Sequence, residues 1–143
     1  MSKKSAKIAA LIERHRGQAL SPYYLGYFEL FNTQLYYESH DVLEELWLPI
    51  RRQPEGDFYK GLIQLAGAFV HLQKNRLRPS AELFKLAKAN LKKYPARHEQ
   101  LDCALVLTAI DEWLARLEEY NFERNPLANS DAPRITLLDA PYF

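Results

Sequence analysis

Apolar residues recur every three to four positions along almost the whole chain, the spacing of helices that bury one face. The first such stretch carries Ile8, Leu11, Ile12 and His15, and predicts a helix over about Ser5–Arg16 that Gly17 stops. Ser21 followed by Pro22 is a cap before a favoured first helical residue, so a second helix is predicted to about Thr33, with Tyr24, Phe28 and Phe31 on one face. A third is predicted over Tyr36–Leu48, halting at Pro49. The polar run Arg51–Gly56 reads as a loop, after which Asp57 caps a fourth helix, Phe58–Asn75, apolar around roughly half its circumference. Pro79 or Ser80 opens a fifth, to about Tyr94, burying Leu83, Phe84, Ala87 and Leu91, and Pro95 ends it. The sixth is predicted over about Glu99–Asn121, with Val106, Ile110, Trp113, Leu114 and Leu117 in register.

Little in this pattern speaks for a sheet: glycines are few, and neither Asn-Gly hairpin signals nor sustained alternation occur. The fold class read from it is all-α, a single helical bundle of about six helices over residues 1–143. From about residue 122 to 143 the chain is an irregular tail, because Pro126, Pro133 and Pro141 forbid a continuous helix, yet Ile135, Leu137, Leu138, Tyr142 and Phe143 are apolar enough to dock.

Composition supports an ordinary core, since 48% of the 143 residues are hydrophobic and 13% aromatic. The single cysteine, Cys103, forms no intrachain bridge and sits among apolar neighbours as a small buried residue. The basic start, Met1 to Lys7, lacks the features of a secretory leader, and the apolar segment Leu62–Leu72 is too short and too interrupted to cross a membrane. A cytoplasmic protein without membrane partners is expected. The net charge of +1 selects no class of partner, but Lys74–Arg97 holds eight Lys or Arg against the lone Glu82.

Candidate chemistry lies on the third and fourth helices. On the third, Val42, Leu46, Leu43, Tyr36 and Trp47 form an apolar arc opposite Glu38, Asp41 and Glu45, while His40 and Glu44 stand one turn apart at its margin, where water is scarce. On the fourth, Lys60, Gln64, His71 and Asn75 fall on one line, with the small Gly67 and Ala68 beside it. A buried hydrogen-bond network centred on Glu44 accounts for these residues without a ligand. A metal site does so as well, with His40 and Glu44 chelating one ion from one helix and His71 completing three ligands; a divalent metal such as zinc is then the cofactor. Metal-free acid–base chemistry, with Glu44 tuning His40 as the catalytic candidates, is a third reading, although no activated nucleophile is visible. The fourth is recognition of a small molecule in a cleft formed by Tyr36, Glu38, Trp47, Lys60, Gln64 and Asn75.

The run FNTQLYYESHDVLEELW (Phe31–Trp47), followed by FYKGLIQLAGAFVHLQKN (Phe58–Asn75), resembles the family known as domain of unknown function 309, over roughly Phe28 to Leu91. The resemblance implies a helical bundle, and many members of the family are labelled predicted metal-dependent hydrolase. Its Glu-x-His falls on Glu38 and His40, its glutamate one turn later on Glu44, and its tryptophan on Trp47; its central helix matches Gly61, Gln64 and His71. Ser39 and Asp41 stand where alanine and glutamate are common, and Arg76–Ser80 replaces a glycine-containing turn.

The expectation is therefore an intracellular helical bundle whose His40/Glu44/Trp47 cluster lines or braces a small cleft, with a metal-dependent hydrolase as the enzyme alternative. A phosphate or nucleic-acid binder using residues 74–97, with Lys85, Lys88 and Lys92 as a basic stripe, is the alternative from another class, and nucleic-acid binding at physiological salt is not expected.

Overall fold

Six helices account for most of the chain in a computed structural model that describes residues 3–129 and 132–138. They are α1 (Lys3–Arg14), α2 (Pro22–Asn32), α3 (Tyr36–Trp47), α4 (Gly56–Gln73), α5 (Leu77–Leu91) and α6 (Cys103–Glu119). Gly17 adopts a left-handed φ of 82° after α1, and the Ser21 side chain caps α2 by accepting from Tyr23 N. As expected, α3 ends just before Pro49; the backbone then tightens into a 3₁₀ turn, Leu48–Ile50, in which proline occupies an early position that requires no N–H donor. Asp57 is not the cap of α4 but sits in its first turn, where its charge suits the helix N-terminus and meets Lys93 Nζ at 2.7 Å.

One stretch departs from the helical expectation. Instead of starting at Glu99, α6 begins at Cys103, capped by Asp102, whose side chain accepts from Leu105 N. The preceding residues form a small antiparallel hairpin, β1 (Arg97–His98) with β2 (Leu101–Asp102). Its two turn residues, Glu99 and Gln100, have φ of 50° and 59°, the paired positive values that a tight two-residue hairpin requires and that Asn-Gly normally supplies.

The bundle is organised on α4, which packs most extensively against α5 and α3. Phe69 of α4 is the hub of the core. Its ring stacks on Tyr36 at 5.1 Å between centroids and meets Phe31, Phe84 and Trp113 edge-on at 5.5, 5.2 and 5.0 Å, so α2, α3, α5 and α6 converge on one side chain. Buried hydroxyls tie the helices across their backbones: Ser39 Oγ donates to Tyr27 O, Tyr27 Oη to Leu62 O, and Ser80 Oγ to Ala68 O. No helix among the described residues is long and apolar enough to cross a membrane.

The described part of the tail docks on the bundle. The Asn32 side chain grips Ile135 through both backbone groups, donating to its carbonyl at 2.8 Å and accepting from its N–H at 2.7 Å. Leu138 N donates to Gln100 O at 2.7 Å, and Leu137 is buried. Pro141, Tyr142 and Phe143 lie outside the described residues.

Candidate functional site

The stripe Gln64, Gly67 and His71 on α4 faces Tyr37 and His40 on α3 across a cleft of about 220 Å³. Helical spacing explains both sets: positions three, four and seven apart share a face. The remaining walls are apolar, from Ile63 and Val70 of α4 and Leu83 of α5. Gly67 lets α5 come close, because a Cβ there would lie 3.0 Å from Leu83 Cδ1. The rings of Tyr37 and His40 lie nearly parallel, 6.2 Å apart.

A hydrogen-bond chain fixes the orientation of the Gln64 amide. Lys93 Nζ donates to Asn90 Oδ1 at 3.2 Å, which turns Asn90 Nδ2 toward Gln64 Oε1 at 2.7 Å. Gln64 is thus left with its Nε2 as the donor for anything else it binds. His71 is placed differently: its Nδ1 is buried without a hydrogen-bond partner among the described residues. Burial, followed by the charges of Arg76 and Lys74, lowers its pKa from the ordinary 6.5. A neutral ring with nothing beside Nδ1 to accept a proton is best served by carrying that proton on Nε2, since an unpaired buried acceptor is tolerated better than an unpaired buried N–H.

The other residues singled out by sequence are dispersed around this cleft. Glu44 Oε2 stands 3.8 Å from His40 Nε2, and His40 Nδ1 stands 3.1 Å from Asp41 Oδ1, so each ring nitrogen faces a carboxylate. The His40 and Glu44 side chains are 32% and 41% exposed, which replaces the expected dry margin with a wet one. The physical reason is the packing order: α3 is covered by α2 and α4, while α5 packs on α4 and α6. Trp47 is half-buried with its Nε1 unpartnered among the described residues, and Tyr36 is core, its hydroxyl also without a partner and its pKa pushed up to about 12 by burial. Glu38 approaches Lys7 at 3.9 Å, and Lys60 is exposed. Asn75 lies past the end of α4 in a left-handed conformation (φ 57°) that lets Arg76 N reach back to His71 O, a helix-terminating role that asparagine tolerates.

These residues fall in a segment with a known likeness. Residues 24–83 match the model of a family described as Domain of unknown function (DUF309). No curated protein and no solved structure matches the chain. The matched segment contains every residue that lines the cleft, from Tyr37 to Leu83, whereas Asn90 and the hairpin lie beyond it.

The donor atoms themselves test the metal that the resemblance implies. Two ligands of one zinc ion, each about 2.0–2.2 Å from it, sit roughly 3.5 Å apart in a tetrahedral site. His40 and Glu44 at 3.8 Å come near that separation, and the contact of Asp41 with the other ring nitrogen is the support a metal-bound imidazole normally has. His71 does not complete the set: among the described residues, the ligand group gathered within 4.8 Å is Glu55, His98 and Glu99. His40 and Glu44 fit two ligands from one helix, and a three-ligand centre with His71 is not assembled.

Sequence reasoning missed the Glu55/His98/Glu99 group because its members are brought together only by the hairpin. His98 Nε2 lies 2.9 and 2.8 Å from the two Glu55 oxygens, across 43 positions of sequence. Tyr59 nearby has its pKa pushed up to about 12, by burial first and then by Glu99 and Glu55.

Proposed function

We propose that the protein binds a small anionic molecule with an apolar part in the cleft between α3, α4 and α5. The observation that carries this reading is the polar pair on α4 that lines the cleft: Gln64, whose Oε1 is taken by Asn90 so that Nε2 is left over, and His71, whose buried Nδ1 has no partner among the described residues, which favours a proton on Nε2. Two donors over apolar walls suit ligand oxygens such as those of a carboxylate or phosphate ester, and Lys74 and Arg76 add positive potential beside His71. Titration of the isotope-labelled protein with benzoate and with phenyl phosphate, followed by NMR, should shift the Gln64 side-chain amide and the His71 ring signals first. His71→Gln with Gln64→Leu should abolish those shifts. Shifts confined to other regions, or none at millimolar ligand, would remove the reading.

A metal-dependent hydrolase is the second reading, favoured by the carboxylate on each nitrogen of His40. It requires further ligands from water or substrate, since His71 stands apart. Nucleic-acid recognition gains nothing: in the basic segment Lys85 pairs with Glu82, Lys88 with Asp111 and Lys93 with Asp57.

A further inference from the structure

We propose that Glu55, His98 and Glu99 form a divalent-cation site that fastens the hairpin to the start of α4. Two carboxylates and one imidazole converge within 4.8 Å, a donor set suited to zinc and its first-row neighbours. This group shares no residue with the cleft or with the His40/Glu44 pair.

Each of the three residues is held by its own support. The His98 ring is set between Phe58 and Tyr94, with centroids 4.7 and 5.0 Å away, so the direction of Nε2 is fixed. The Tyr94 hydroxyl donates to Pro54 O at 2.7 Å and accepts from Phe58 N at 2.8 Å, which clamps the backbone on both sides of Glu55. Tyr24 Oη donates to Glu99 O at 2.9 Å, and the tail reaches the adjacent Gln100 through Leu138 N. Ligands carried on a pre-set backbone lose little freedom when an ion arrives.

The turn itself argues for a use of Glu99. A left-handed φ of 50° favours glycine or asparagine, and a glutamate there accepts strain while placing a second carboxylate beside His98. The His98–Glu55 pair alone would be an ordinary ion pair needing no third member. Glu99 brings a second carboxylate to within 4.8 Å of that pair, which makes a three-donor set. Small outward shifts of Nε2 and the Glu55 oxygens, now 2.8 to 2.9 Å apart, open the space for ligand bonds.

The test is calorimetric titration of the untagged, metal-free chain with zinc chloride, with magnesium and calcium chlorides as oxygen-preferring controls. One zinc per chain is expected, with magnesium and calcium much weaker. Glu99→Gln should weaken zinc binding at least tenfold without changing the circular dichroism of the metal-free protein, and Glu55→Gln should do the same. His40→Ala should leave it intact. Zinc should also raise the melting temperature of the wild type and not that of Glu99→Gln. Zinc affinity unchanged in both glutamate variants, affinity lost in His40→Ala, or no zinc uptake at about 100 µM would each overturn the assignment.

Discussion

At His71 a buried ring nitrogen and two neighbouring cations act in the same direction, and the consequence is a pH dependence with a definite sign. In the unfolded chain the imidazole titrates near 6.5, whereas in the fold burial, with Arg76 and Lys74, keeps it below that value. On acidification the unfolded state therefore takes up the proton first. The stability contributed by a neutral His71 is complete above about pH 6.5 and is lost as pH falls from there through the folded pKa. The melting temperature of the wild type should consequently drop more between neutral and mildly acid pH than that of His71→Gln, and the NMR titration midpoint of His71 should lie below 6.5. Parallel pH profiles for the two proteins would show that the ring feels no such burial. His40 and Glu44 make the instructive contrast. Their sequence positions marked them as a dry pair, yet at 3.8 Å and about a third exposed they form a surface contact, worth under about 1 kcal/mol after screening.

At the scale of elements, the glycines of α4 separate a close helix crossing from a wall of the cleft. A Cβ on Gly61 would lie 2.9 Å from Leu91 Cγ and 3.2 Å from Asn90 Cβ, and Leu91 is fully buried with no space to retreat. Overpacking of this kind costs about 1–3 kcal/mol, more than the roughly 1 kcal/mol that alanine gains over glycine in a helix. Gly61→Ala should therefore lower the midpoint of denaturant unfolding. Gly67→Ala meets the tip of a half-buried Leu83 side chain at 3.0 Å, which can rotate, so it should leave stability equal or raise it while narrowing the cleft. Equal midpoint shifts for the two variants would refute the distinction. The same comparison shows what was legible in the sequence. Helical periodicity placed all six helices and put Gln64, Gly67 and His71 on one stripe, because those are local properties of the chain. Which helix would cover that stripe is a tertiary matter, and Asn90 of α5, the partner of Gln64, carries no local sign of its role. The hairpin was hidden for a different reason: Glu99 and Gln100 lack the turn chemistry that normally announces positive φ, and with the hairpin the group at Glu55 was hidden too.

For the whole molecule, the tail decides how completely the core is closed. Pro133–Thr136 form one wall of an apolar cavity of about 90 Å³ whose other walls include Phe31, Phe69, Val106, Ile110 and Trp113. The segment is held there from three directions: the two-point amide grip of Asn32 on Ile135, the burial of Leu137, and the bond from Leu138 N to Gln100 O. Among these only the Asn32 grip is a side chain that can be removed without touching the tail, and it links the end of α2 to a residue 103 positions later. Asn32→Ala removes two neutral hydrogen bonds, each worth about 0.5–1.5 kcal/mol, and so should increase local opening of the tail by roughly fivefold to a hundredfold. Hydrogen exchange followed by mass spectrometry should then show faster exchange across residues 132–138, while the amides of α4 stay protected, because Phe69 and its partners hold the helices together without the tail. Trp113, only 6% exposed with the tail in place, should become more accessible to a fluorescence quencher in the same variant. Unchanged exchange over 132–138 would mean that Leu137 and the Gln100 contact suffice to hold the segment. Faster exchange spreading into α4 would mean that the tail is part of the cooperative core and not a cover laid over it.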